Sequence, residues 1–198
     1  MSAKSPNEDL AAPEITTEED RKRFWRMQWL SSIQAFGDSK TQRSRWLDPD
    51  ERNPHYSYVE CMCCYFDDAY LGATDAYERR REQGQISAAE IEAVADFHRL
   101  AIAYNPPKND DYDLAAILND PAWGEVVAAA QAAQRALLSL LDNEIEVDAL
   151  TRPLAWESQS RGSFSADLTG STIVSAAPAK QDQSIFTKLQ GSLKRWLQ

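Results

Sequence analysis

The stretch "GQISAAEIEAVADFHRLAIAYNPP" (residues 84–107) holds the start, body and end of one α-helix. Ser87 is placed to cap the first turn, and Glu90, three residues on, can reach back to the Ser87 amide as a capping box. Ile86 and Ile91 flank the cap as a hydrophobic staple. The helix then runs to about Tyr104, and Pro106-Pro107 ends it, because the residue before a proline is pushed out of helical geometry. His98 falls beside Val94, Ala95 and Ile102 on the helical wheel, which reads as a partly buried histidine with a satisfied ring.

The same logic extends in both directions. Downstream, a short helix covers 113–119. Asp120-Pro121 then supplies an N-cap and first residue for a long helix with Trp123, Val126, Val127, Ala130, Leu137 and Leu141 as its buried stripe. Upstream, a short helix over 73–83 stops at Gly84, and Asn53-Pro54 reads as the start of a helix ending near Gly72. Residues 37–54 read as a loop with one helical turn around Trp46 and Leu47. A first helix starts near Arg21, with Thr17 and Asp20 as its capping pair, and Gly37 is its expected stop. Its stripe is Trp25, Trp29, Ile33 and Phe36. These segments predict an all-α fold, a bundle of about five or six helices over 17–150.

Around it, residues 1–16 read as an acidic, disordered N-terminus, residues 151–183 as a flexible Ser/Ala/Gly/Thr-rich linker, and residues 184–198 as an amphipathic helix. That terminal helix carries Phe186, Leu189 and Trp196 with Lys188, Lys194 and Arg195. It suits docking to a partner's groove; as a membrane signal it is single and weak.

Three cysteines cluster at 61, 63 and 64 in "YVECMCCYFDDAY" (58–70). On a wheel at about 100° per residue, His55, Val59, Met62, Cys63, Phe66 and Tyr70 form the core stripe. Cys61, Cys64 and Asp68 share another side. They would need a fourth ligand to hold zinc, and the chain has no second cysteine cluster and two histidines, so no metal is expected. Asp67-Asp68 has Leu71 where a third diphosphate-binding carboxylate would stand. "NDDYDLAAILND" (109–120) has neither the glycine nor the bidentate glutamate of a calcium loop. Seven glycines form no phosphate loop, and there is no HExxH or GxSxG, so no cofactor and no catalysis are expected.

The net charge is −10 over 198 residues, with +4 in 21–54 and −9 in 87–150. Such a chain is repelled by nucleic acid and anionic lipid. "RKRFWRMQW" (21–29) alternates cations with tryptophans, but Trp25 and Trp29 point one way and Arg21, Lys22 and Arg26 another. Its cations can pair with the chain's own acidic half. No nucleic acid is therefore expected. The odd, clustered cysteines and an N-terminus without an apolar run predict a reducing, cytoplasmic setting.

What remains is a surface. Asp67, Asp68, Asp75, Asp110, Asp111, Asp113 and Asp120 fall at helix ends and loops, where they can attract a basic protein by steering. Trp46, Tyr56, Tyr58, Tyr65 and Tyr112 are too numerous for all to be buried, and Trp46 and Tyr112 are candidate anchors beside those carboxylates. The expected function is non-catalytic capture of a basic protein partner, the physical type of immunity proteins and antitoxins, a likeness of charge and size, not of motif. The alternative is an adaptor whose 184–198 segment docks.

Overall fold

Eight α-helices and no strand make up residues 17–153, the span that the computed structural model describes, except 52 and 54. The all-α expectation holds there. All of these residues belong to the first of the two units into which the chain divides, Met1–Trp156. The expected N-terminal segment 1–16, the spacer beyond 153 and the 184–198 helix lie outside the described residues.

Helix α1 (Glu18–Gly37) begins as expected at Thr17. The Thr17 Oγ1 accepts the Asp20 amide at 3.0 Å, and the Thr17 amide donates to Asp20 Oδ2 at 3.2 Å, a capping box closed by aspartate instead of glutamate. Trp25, Trp29, Ile33 and Phe36 are buried, and Leu30, Ser32 and Gln34 widen the buried face.

The end of α1 departs from expectation. Gly37 is its last helical residue, not a left-handed stop. Asp38 follows it and caps α2 (Ser39–Thr41), accepting the Thr41 amide at 2.9 Å. Side chains from elsewhere satisfy the carbonyls that end the helix: Gln42 Nε2 donates to Ala35 and Phe36 at 2.8 and 3.0 Å, and Gln131 Nε2 donates to Gly37 at 2.9 Å. Glycine serves here for close approach. A Cβ on residue 37 would lie 2.6 Å from Gln134 Oε1. The same amide donates to the Leu150 carbonyl at 3.2 Å, so it is not free to swing away at no cost.

Gly37→Ala is therefore expected to cost about 1 kcal/mol, the bond it displaces outweighing the helical gain. In a Gln134→Ala background the same change should become neutral or stabilising by about 0.5 kcal/mol, a sign reversal that a double-mutant cycle in urea would register.

Residues 39–46 are helical where the sequence suggested a loop with one turn around Trp46 and Leu47. α2 runs into a wide π-helical turn, Gln42–Trp46, which buries Trp46 against Trp123 with ring centroids 5.9 Å apart.

Helix α3 (Tyr58–Cys63) also corrects the reading. Ser57 caps it, not Asn53, and it continues as a π-turn, Cys64–Asp68, ending before Gly72. The start moves by four residues and the buried stripe moves with it. Tyr58, Cys61, Met62, Tyr65, Phe66 and Ala69 are buried, whereas His55 is exposed, Val59 and Cys63 are half-buried, and Tyr70 is 72% exposed. Tyr56, Tyr58 and Tyr65 are buried beside Trp46, so of the aromatics expected to be partly spare only Tyr112 stands outside.

Helix α4 (Ala76–Glu82) ends at Gly84, which takes the left-handed φ of 65° a glycine stop requires. Arg80 of this helix lies over the Trp25 and Tyr70 rings at 4.8 and 5.8 Å. Helix α5 (Ala88–Ala103) has the predicted box: the Ser87 amide donates to Glu90 Oε2 at 2.8 Å, and the Glu90 amide to Ser87 Oγ at 3.2 Å. Helices α6 (Leu114–Asn119) and α7 (Pro121–Leu138) start from Asp113 and Asp120 caps. Leu141, expected on the α7 stripe, lies past its end.

Helix α8 (Glu144–Thr151), capped by Asn143, was not anticipated. It packs on α1 and α7; α7 in turn lies against α1 and α5. Arg26 of α1 ties them together, bonding Glu146 of α8 at 2.6 and 2.7 Å and Glu90 of α5 at 2.8 Å. The expected pairing of the basic first helix with the acidic half is realised here.

Trp123 is the centre of the core. Its ring meets Phe36, Tyr58 and Tyr104 within 5.1–5.7 Å, and its Nε1 donates to Gln42 Oε1 at 3.2 Å. A second aromatic group surrounds His98. There Trp29 Nε1 donates to the Tyr77 hydroxyl at 3.2 Å, the Tyr77 and Tyr65 hydroxyls are 2.6 Å apart, and Tyr65 reaches His98 Nδ1 at 3.1 Å.

Candidate functional site

A cavity of about 390 Å³ opens between α1, the α2 turn and α3. It is within the range of small-molecule pockets. Phe24, Met27 and Ala35 of α1 form one wall, and Trp46 and Tyr56 another. Cys61, Cys64, Glu60 and Asp68 line it from α3 and its π-turn, with Asp38 at the α1 end.

Ser57 builds this side of the site. "SYVE" at 57–60 has the spacing of a capping box, and Ser57 Oγ accepts the Glu60 amide at 3.2 Å. The Glu60 side chain, however, does not close the box. Its Oε1 accepts from His55 Nδ1 at 2.7 Å and from the Cys64 thiol at 3.7 Å. Cys64 is placed between Glu60 and Asp68, and its hydrogen bond tempers the acidity loss of Asp68. The Asp68 carboxyl is still pushed above the usual range by burial, by Glu60 and by Asp67. Among the described residues no arginine or lysine lines the cavity, and none forms an ion pair with Glu60 or Asp68.

The cysteines are protonated thiols at neutral pH. Burial, then Glu60 and Asp68, pushes Cys64 up to about 12; burial and Asp67 do the same to Cys63. Cys61 is buried and pushed higher in the same direction by burial, Cys64 and Glu60. A nucleophilic cysteine needs a cationic or basic neighbour to stabilise its thiolate, and here the neighbours are carboxylates. His98 is elsewhere: its ring faces Tyr65, Phe66 and Tyr77. Among the described residues no three His, Cys, Asp or Glu side chains converge to hold a metal ion. The wheel placed Cys61 beside Cys64 and Asp68; in the fold the three line the same cavity, with Cys61 the buried member.

The acidic residues singled out in the sequence fall into separate groups. Asp67 and Asp68 end the α3 rod. Asp110, Asp111 and Asp113 belong to the loop that leads into α6, where the Asp111 charge reaches the buried Tyr58 hydroxyl from the start of α3. Asp75 pairs with Arg79 at 3.3 Å and joins neither. Asp120 caps α7 and accepts the Tyr104 hydroxyl at 3.1 Å.

Tyr112 is 72% exposed between these aspartates. Its loop is held firmly. Lys108 and Asn109 take left-handed φ of 59° and 55°, Asp110 Oδ1 accepts the Tyr112 amide at 2.9 Å, and Asp113 Oδ1 accepts the Ala116 amide at 3.0 Å. Burial and Asp110 push the Asp111 carboxyl above its usual range. Trp46, the other expected surface anchor, is a core residue with one edge on the cavity. Phe186, Leu189 and Trp196 lie outside the described residues.

No family model, curated protein or solved structure matches this chain. Its site is therefore read from its own geometry. Sequence reasoning passed over Glu60 and gave His55 to the core. The "SYVE" spacing was the available signal, masked by the stronger-looking Asn53-Pro54. Among the described residues no helix is long and apolar enough to cross a membrane.

Proposed function

We propose that the chain is a non-catalytic binding protein that captures a basic protein partner through the loop at 105–113. One observation carries this reading: Tyr112 projects from a firmly turned loop with Asp110, Asp111 and Asp113 around it. A rigid, exposed tyrosine is a low-entropy anchor. Adjacent carboxylates speed encounter with a cationic surface and reject acidic ones. The −9 balance of residues 87–150 extends the same field. Thiols held protonated beside carboxylates support binding over cysteine chemistry.

The test is co-purification from the native cytosol, followed by binding measurements on the captured partner. Tyr112→Ala should weaken binding by roughly 30-fold, the scale of a hot-spot aromatic. Asp110→Asn with Asp111→Asn should slow association and flatten its salt dependence, leaving dissociation nearly unchanged. An affinity indifferent to salt would overturn the reading. Deleting residues 184–198 separates it from the adaptor alternative: binding lost on deletion but unchanged in Tyr112→Ala assigns the function to that segment.

A further inference from the structure

We propose that the cavity between α1 and α3 is a binding site for a small organic ammonium ion carried on an apolar body. The site is separate from the Tyr112 loop, so either reading can fail without the other.

Shape and charge lead to the same ligand. The walls from Phe24, Met27, Ala35 and Trp46 are apolar and aromatic, and a body of hydrocarbon gains by leaving water against them. The polar end is one-sided. Glu60 and Asp68 flank the Cys64 thiol, Glu60 disfavours the Asp68 charge, and no arginine or lysine among the described residues pairs with either. Glu60 Oε1 is occupied by His55 and Cys64, and Oε2 carries no hydrogen bond among the described residues. Two carboxylates flanking one thiol, with no lysine or arginine paired to them among the described residues, stand at higher energy than the same pair with a cation between them. A bound ammonium would relieve that repulsion and donate charge-assisted hydrogen bonds to both groups. The Trp46 and Phe24 rings add attraction for a cation at their faces. A neutral apolar molecule would fill the same space but leave the carboxylates as they are, and an anion would add a third like charge.

A matched series tests this on the full chain: 2-phenylethylammonium, 2-phenylethanol and 3-phenylpropanoate, titrated by calorimetry and mapped by amide chemical shifts. The ammonium should bind at one saturable site, with shifts centred on residues 24–35 and 57–68, at least tenfold tighter than the alcohol. The carboxylate should not bind. Glu60→Gln with Asp68→Asn, which preserve shape, should bring the ammonium down to the alcohol's affinity and leave the alcohol unchanged. Ala35→Leu, which narrows the cavity from a helical position, should weaken both. Far-UV circular dichroism confirms that each variant is folded. Equal binding of ammonium and alcohol, an ammonium affinity untouched by the double variant, or no saturation at millimolar ligand would each overturn the proposal.

Discussion

Replacing Arg26 with leucine is expected to cost about 3–5 kcal/mol of folding stability, the scale for breaking a buried ion pair from one side. For a chain of this size that lowers Tm by roughly 10 °C. Arg26 lies about two turns inside α1, and its side chain is 15% exposed. It donates to Glu146 through Nε and Nη2, to Glu90 through Nη2, and to the Gln85 carbonyl through Nη1 at 2.8 Å. The two carboxylates are 8% and 15% exposed. Removing the guanidinium leaves two negative charges facing each other out of water, and that penalty, more than the lost attraction, sets the size of the effect. Part of it should return in Arg26→Leu with Glu146→Leu, which removes one stranded charge and adds apolar surface between α1 and α8. Glu90 retains its bonds to Ser87, so recovery should be incomplete. Arg21 is the control. Its pair with Glu18 at 2.6 Å is 59% and 79% exposed, and Arg21→Leu should move stability by no more than about 0.5 kcal/mol. Urea unfolding of the four proteins gives the comparison; an Arg26→Leu cost below about 1 kcal/mol would contradict the buried network.

Helix α8 explains why this network was invisible in the sequence. Eight residues are too few to be stable on their own propensity, and the helix exists because tertiary contacts hold it. Its apolar pattern is thin: Ile145 is 59% exposed, whereas Ala149 and Leu150 are buried. The decisive contact, Glu146 with Arg26, spans 120 residues. By contrast α5 was legible to the residue, because Ser87, Glu90 and Pro106 act on their own neighbours. The same holds for the starts of α1 at Thr17 and α7 at Asp120.

Helix α3 is the intermediate case. Two local start signals compete four residues apart, Asn53-Pro54 and Ser57 with Glu60. Tertiary burial chose the second, since only that register sends Tyr58 toward Trp123 and Tyr65 toward Tyr77. The π-turns at 42–46 and 64–68 carry no sequence signature, and a wide turn displaces every later side chain around the axis. That is why Trp46, expected as a surface anchor, and Tyr65, left off the expected core stripe, are found inside. The cavity inherits both errors. Its walls come from α1, from the first π-turn and from α3, and no spacing rule within one helix can bring those together.

Lowering the pH from about 6.5 to about 4 is expected to remove roughly 3 kcal/mol of stability through His98 alone. Burial lowers the folded imidazole from its ordinary 6.5 to about 4. Between those values the unfolded chain binds a proton at His98 and the folded chain does not, so acid favours unfolding. Above 6.5 and below 4 the contribution is flat. The hydrogen-bond chain acts in the same direction as burial. Each hydroxyl has one proton. With Nδ1 bare, Trp29 donates to Tyr77, Tyr77 to Tyr65, and Tyr65 to His98, and every donor is used. A proton on Nδ1 reverses the last two steps. Tyr65 then donates to Tyr77, whose oxygen already accepts from Trp29, and the Tyr77 hydroxyl proton is left in the core without an acceptor. Glu90 acts with the same sign, since Arg26 and Ser87 outweigh burial and hold its carboxyl below the usual range, so the raw acid slope belongs to more than one group. His98→Asn separates them. Its amide oxygen can still accept from Tyr65, and it cannot titrate. Stability of wild type and His98→Asn, measured by urea unfolding at intervals from pH 4 to pH 8, should differ by a quantity that shrinks as pH falls through the 6.5-to-4 window. Curves that run parallel across that range would mean that the imidazole titrates alike in the folded and unfolded chain, and would overturn the argument from its burial.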